Sequence, residues 1–142
     1  MKQFLTCILS LVCFVSYAQL SQKTVDIEHK LNNMEPFHIS VDATQTSRII
    51  DEQGSRLVLI DVRTPEEVAN GKIKDALEID IKSPDFSEKV AQLDKTKQYM
   101  VYDYAGGRSK RALEIMKELG FKQVYDLKDG YKAWKELNVS KK

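Results

Sequence analysis

At 142 residues the chain suits one domain and can bury a single core. Its 22 basic residues stand against 21 acidic ones, and setting aside Lys2 at the N-terminus leaves 21 of each. That balance excludes any general electrostatic attraction to nucleic acid or acidic membranes.

Lys2 precedes an apolar stretch from Phe4 to Val15, and Ser16-Tyr17-Ala18 sets small residues at its first and third positions. The layout predicts a signal peptide over residues 1–18, cleaved after Ala18, and hence an exported protein, periplasmic or secreted. The apolar stretch falls short of the roughly 20 residues a spanning helix needs, so no membrane span is expected after cleavage. An uncleaved N-terminal anchor is the competing reading. Cys7 and Cys13, the only cysteines, both lie inside the signal. Lipid attachment at Cys13 is disfavoured, because Val12 stands where lipoprotein signals have a small residue. The processed chain is therefore expected to hold no thiol, which suits an oxidising compartment without requiring one.

Residues 19–35 read as a polar, loose leader, residues 36–138 as the folded domain, and residues 139–142, ending in Lys141-Lys142, as a solvated tail. Phe37-His38-Ile39 can form a first strand. Val41 to Gln53 reads as a helix capped by Asp42 or Thr44, and Gly54 ends it. Leu57 to Ile60 is a continuous apolar run, the pattern of a strand buried on both faces. Thr64-Pro65-Glu66-Glu67 reads as an N-cap, a proline in the first turn and a capping-box glutamate. Ala76 to Ile81 is a short strand, and Ser83-Pro84-Asp85 opens a helix carrying Phe86, Val90 and Leu93. Tyr99 to Tyr102 is a strand, followed by a turn at Gly106-Gly107 and a helix from about Ser109 to Leu119. Gly120 can cap that helix with Phe121 packing back on it. Val124 to Asp126 is a last strand, and Asp129 to Leu137 a closing helix in which Tyr131 and Trp134 read as core.

Alternating buried strands and helices imply an α/β domain with a mostly parallel sheet. Binding sites in such sheets lie beyond the carboxyl ends of the strands. Two segments point there: Asp61-Val62-Arg63, a candidate pocket rim, and Asp103-Tyr104-Ala105-Gly106-Gly107-Arg108-Ser109. In the second, a strand ends, glycines let the backbone curl, and a helix begins with Arg108 and Ser109 at its mouth. Inward N–H groups, a helix dipole and a guanidinium together make a cradle for an anion. An ordinary strand-to-helix turn is the competing reading for the glycines alone.

From Phe37 to Leu137 the sequence resembles the rhodanese-like domain. Leu59 to Glu67 is similar to that family's IDVR-x-x-x-E segment. Asn70 to Ala76 stands where the family often has GHIPGA, with Lys72, Lys74 and Asp75 replacing its His, Pro and Gly. Gly106-Gly107-Arg108-Ser109 falls in its active-site loop. Leu119-Gly120-Phe121 and Leu127 to Trp134 are similar to its closing motifs. The resemblance implies a three-layer domain with a five-stranded central sheet flanked by helices.

The resemblance also implies a loss. Family sulfurtransferases begin this loop with a cysteine, and the spacing to Arg108 gives that place to Asp103. Sulfur relay needs a soft thiolate that carries a persulfide, and a carboxylate forms no stable equivalent. An aspartate needs no activation of the kind a thiol does, and Asp103 is expected to accept the loop N–H bonds itself, weakening outside anions. The expected function is therefore an anion- or protein-binding module, inactive as a thiosulfate or persulfide sulfurtransferase. The alternative is a hydrolase of phosphate or other esters using Asp103, metal-assisted, with Asp61 and Asp126 as neighbours. Against it, four residues separate Asp103 from Arg108, whereas related cysteine phosphatases have five. Asp61 and Asp126 read more simply as turn caps and partners of an arginine such as Arg63. No zinc or haem pattern is present, and His29 and His38 read as surface or structural residues, so no cofactor or metal is expected. A folded spacer supporting another exported protein is the third reading.

Overall fold

The computed structural model describes residues 19–26 and 35–140; the expected signal peptide and residues 141–142 lie outside them. The chain divides into two compact units, residues 1–35 and 36–142. In the first, residues 19–26 are helical and exposed, where a loose leader was expected. Local side-chain bonds accompany that helix, Thr24 Oγ1 donating to the Leu20 carbonyl at 2.9 Å and Gln22 Nε2 to Asp26 Oδ1 at 3.2 Å.

The second unit runs β1 (Phe37–Val41), α1 (Ala43–Gln53), a single 3₁₀ turn (Gly54–Arg56), β2 (Leu57–Asp61), α2 (Pro65–Val68), β3 (Leu77–Glu78), α3 (Phe86–Ala91), β4 (Gln98–Tyr102), α4 (Gly107–Glu118), β5 (Gln123–Leu127) and α5 (Gly130–Ser140). The five strands form one sheet in the order β1-β5-β4-β2-β3, and every pairing is parallel. Parallel neighbours need crossovers, which the helices supply, and helices cover both faces.

The alternation of side chains along each strand sorts the core into two layers. Tyr99 and Val101 of β4 join Ile60, Val124, Phe86, Val90, Leu113, Met116 and Phe121 on the face of α3 and α4. Met100 and Tyr102 join Leu57, Leu59, Leu127 and Tyr131 on the face of α1 and α5, with Ile49, Ile50 and Trp134 packed against them. Trp134 is thus half-buried against the core, on the inward side that its helical spacing predicts. Each fully buried aliphatic or aromatic side chain contributes about 1.5–3 kcal/mol over leaving it in water.

Local chemistry explains the boundaries. Asp42 caps α1, with Gln45 N–H donating to Asp42 Oδ1 at 2.8 Å and Asp42 N–H to Gln45 Oε1 at 3.0 Å. Val41, expected in that helix, instead closes β1, because β1 pairs with β5 as far as Leu127. The segment Ala76 to Ile81 supplies only a two-residue strand at the sheet edge. At the end of α4, Gly120 N–H donates to the Lys117 carbonyl and Phe121 N–H to the Met116 carbonyl, both at 3.0 Å. Gly120 takes φ +86° there, a left-handed turn that glycine makes without strain, and Phe121 is buried against the helix. Helix α4 begins at Gly107 rather than Ser109, and α5 runs to Ser140, two residues into the expected tail.

Candidate functional site

The loop after β4 closes around its own first side chain. Gly106 N–H donates to Asp103 Oδ1, and Ser109 Oγ donates to the same oxygen at 3.3 Å. Arg108 N–H donates to Asp103 Oδ2 at 3.1 Å, with Arg108 Nε at 3.4 Å. Asp103 is only 3% exposed. The inward backbone donors expected for an outside anion are thus met by a carboxylate of the chain. Both oxygens are engaged, so an aspartate nucleophile would first have to leave these bonds. Of the other loop residues, Tyr104, Ala105 and Gly107 face solvent.

Two glycines let the loop sit this low. Gly106 takes φ +94°, and a Cβ there would lie 1.6 Å from the Lys128 carbonyl oxygen. Gly130 takes φ +65°, and a Cβ there would lie 2.4–2.5 Å from the backbone of Tyr104 and Ala105. The turn between β5 and α5 therefore presses directly on the loop. The first free N–H groups of α5 complete the contact, Tyr131 donating to the Asp103 carbonyl at 2.7 Å and Lys132 to the Tyr104 carbonyl at 3.1 Å.

Arg108 reaches away from the cradle. Its Nη1 and Nη2 grip Glu67 Oε2 and Oε1 at 2.6 and 2.7 Å, a bidentate pair. Glu67 also receives Thr64 N–H at 3.2 Å as the capping-box residue of α2. The Arg108 guanidinium holds the Glu67 carboxyl down at about 2, and Glu67 in turn raises Arg108. Sequence spacing assigns Glu67 its capping role but not this second one, because the pair joins residues 41 positions apart.

Asp61, expected on the pocket rim, is instead fully buried. Arg63 Nε and Nη2 donate to it at 2.9 and 2.6 Å, and Arg63 N–H at 3.1 Å, so the turn-cap and ion-pair reading holds. Burial alone would lower Arg63, and the Asp61 carboxylate, with Tyr102 and Tyr131 adding to it, leaves it raised. The guanidinium lies 4.3 Å from the centre of the Tyr131 ring and donates to the Gly71 carbonyl at 2.8 Å. Burial pushes the Tyr102 hydroxyl up, with Asp61 adding to the effect. Arg63 does reach a pocket of about 240 Å³, lined with Glu67, Asn70, Tyr104, Tyr131 and Lys135.

Below the loop, Asp126 lies on β5, 2% exposed, and accepts from Ser40 Oγ at 2.8 Å. Its Oδ1 has no hydrogen-bond partner. Ser109 faces both acids, its Oγ lying 3.3 Å from Asp103 Oδ1 and also acting on the Asp126 carboxyl. Burial pushes the Asp126 carboxyl up, and the Asp103 charge adds to that. Among the described residues, no group of three or more His, Cys, Asp and Glu side chains is arranged to hold a metal ion. His38 is structural, its Nε2 lying 2.7 Å from the Phe121 carbonyl oxygen.

Residues 42–137 match the family model described as Rhodanese-like domain. The chain belongs to the rhodanese-like domain family. YtwF of Bacillus subtilis (strain 168) is 40% identical over 101 residues, covering 71% of this chain and 92% of that protein. The thiosulfate sulfurtransferase GlpE of Stutzerimonas stutzeri (strain A1501) is 33% identical over 103 residues, covering 68% and 92%. Among solved structures, a rhodanese-related protein from Thermoplasma volcanium superimposes with a TM-score of 0.59 at 30% identity, covering 69% of this chain and 91% of that one. The parallel five-stranded sheet between helices is this family's fold.

Proposed function

We propose that this single rhodanese-like domain is an exported binding module that does not transfer sulfur. The observation carrying this is the seating of Asp103: an oxygen acid takes the inward donors of the loop. Loop spacing gives Asp103 the place of the cysteine that family sulfurtransferases use. Residues 36–138 contain no cysteine at all, so the fold holds no other thiol to serve instead. A persulfide cannot form on a carboxylate, and the cradle's capacity to stabilise a thiolate has no object. The N-terminal layout of Lys2, the apolar stretch and Ala18 supports export to the periplasm or beyond.

Cyanide-dependent consumption of thiosulfate tests the reading, using the full chain with Cys7 and Cys13 both changed to serine. No turnover is expected, and the further change Asp103→Cys is expected to install it. Robust turnover without any cysteine would overturn the proposal.

A further inference from the structure

Asp61, Glu67 and Asp103 are paired internally, whereas several exposed lysines beside the loop make no ion pair among the described residues. Asp61 is paired with Arg63, and Glu67 and Asp103 with Arg108. Three exposed lysines attach to the same edge. Lys128 presses its carbonyl against Gly106, and Lys132 donates its N–H to the Tyr104 carbonyl. Lys135 lines the pocket beside Tyr104. None of the three makes an ion pair among the described residues, and the exposed acids nearest them in sequence are Asp129 and Glu136.

At the centre of this edge Tyr104 is 49% exposed, a large ring held out to solvent by a loop whose backbone is fixed from below. The pocket beside it is lined by Tyr104, Tyr131 and Lys135 together with Arg63, Glu67 and Asn70. Arg63 in the pocket wall has most of its donors engaged. Lys135 thus stands beside an aromatic wall of Tyr104 and Tyr131, while the Glu67 carboxylate is taken up by Arg108, a setting for a carboxylate on an extended chain. The cradle itself offers no room for a small anion.

We propose that this edge docks an acidic segment of a protein partner, with one carboxylate seated among Tyr104, Tyr131 and Lys135. The proposal rests on the binding-module reading and names the kind of partner. Charge complementarity of this sort sets partner choice and on-rate, and it weakens as salt rises.

A fluorescein-labelled octaglutamate peptide titrated into the full chain at low ionic strength tests it. Saturable binding is expected, falling at least tenfold in the combined Lys128→Glu, Lys132→Glu, Lys135→Glu variant and several-fold in Tyr104→Ala. Lys97→Glu precedes β4 at the opposite end of the sheet and is expected to change nothing. Phosphate or thiosulfate is expected to compete no better than chloride at equal ionic strength. The proposal is overturned by absent binding, by binding that survives the triple reversal, or by specific competition from either small anion, which would assign the edge to such ions. Circular dichroism on each variant separates lost docking from lost folding. The turnover assay bears on the module reading alone, so the two fail separately.

Discussion

Replacing Asp103 by alanine separates the two roles of the loop, folding and anion capture. The carboxylate accepts from Gly106 N–H, from Arg108 N–H at 3.1 Å, and more weakly from Ser109 Oγ at 3.3 Å and Arg108 Nε at 3.4 Å. A buried donor left without a partner costs about 1–3 kcal/mol, and water entering the vacated space recovers part of it. A net loss of about 3 kcal/mol is expected, or about 12 °C in Tm for a domain of this size. The same change removes a negative charge from the cradle, and a like charge at about 4 Å opposes an incoming anion by about 1–4 kcal/mol. Thiosulfate is therefore expected to bind Asp103→Ala about tenfold more tightly than the parent, read by calorimetry. A bound anion stabilises the folded state, by about 2.7 kcal/mol at a hundredfold excess over Kd, so thiosulfate should restore most of the lost Tm. Equal affinities, or an equal thiosulfate-induced rise in Tm for parent and variant, would show that the carboxylate does not occupy the cradle.

The Glu67–Arg108 pair has a definite pH signature. Its carboxyl is lowered from 4.5 to about 2, so its stabilisation is complete above 4.5 and is lost as pH falls toward 2. With side chains 32% and 26% exposed, solvent reduces the pair to about 1 kcal/mol; Glu67→Gln should melt about 4 °C lower at pH 7, with the gap closing by pH 2. A gap independent of pH would refute the pairing as its cause. Asp126 carries the opposite sign: a raised carboxyl loses stability as pH rises through its unfolded value of 3.8 toward its folded one. Asp126→Asn should therefore be at least as stable as the parent at pH 7 and flatter between pH 4 and 7 in denaturant titrations, and a large loss at neutral pH would count against this. Asp75 holds φ +61°, where the family often has glycine, so Asp75→Gly should raise stability by about 0.5–1 kcal/mol in the same titrations. No gain there would mean that the turn is not strained.

Features written in neighbouring residues are legible in the sequence alone. The apolar run at Leu57 to Ile60, the Thr64 to Glu67 cap, and the Gly120-Phe121 turn each depend on contacts within a few positions, and each forms as its chemistry dictates. The inward turn of Asp103 follows from counting donors in a nine-residue stretch. What escapes such reading depends on sequence-distant neighbours. Nothing local tells Arg108 to seek Glu67, or Gly106 to make room for the Lys128 carbonyl. Asp61 misleads because a charged residue after an apolar strand resembles a rim. Arg63, two positions on, folds back and takes it out of solvent. The extension of β1 through Val41 likewise comes from β5, more than eighty residues away.

The hydrogen bonds from Tyr131 and Lys132 to the loop carbonyls have a consequence for biosynthesis. A ribosome makes β4 and the loop well before it makes α5, so nascent chains must hold Asp103 and Tyr104 without the support they later acquire. The loop gains these two bonds only once Tyr131 and Lys132 are free to fold back on it. A stop codon just before Gly130 would therefore yield a protein with every loop residue present and the loop itself unset.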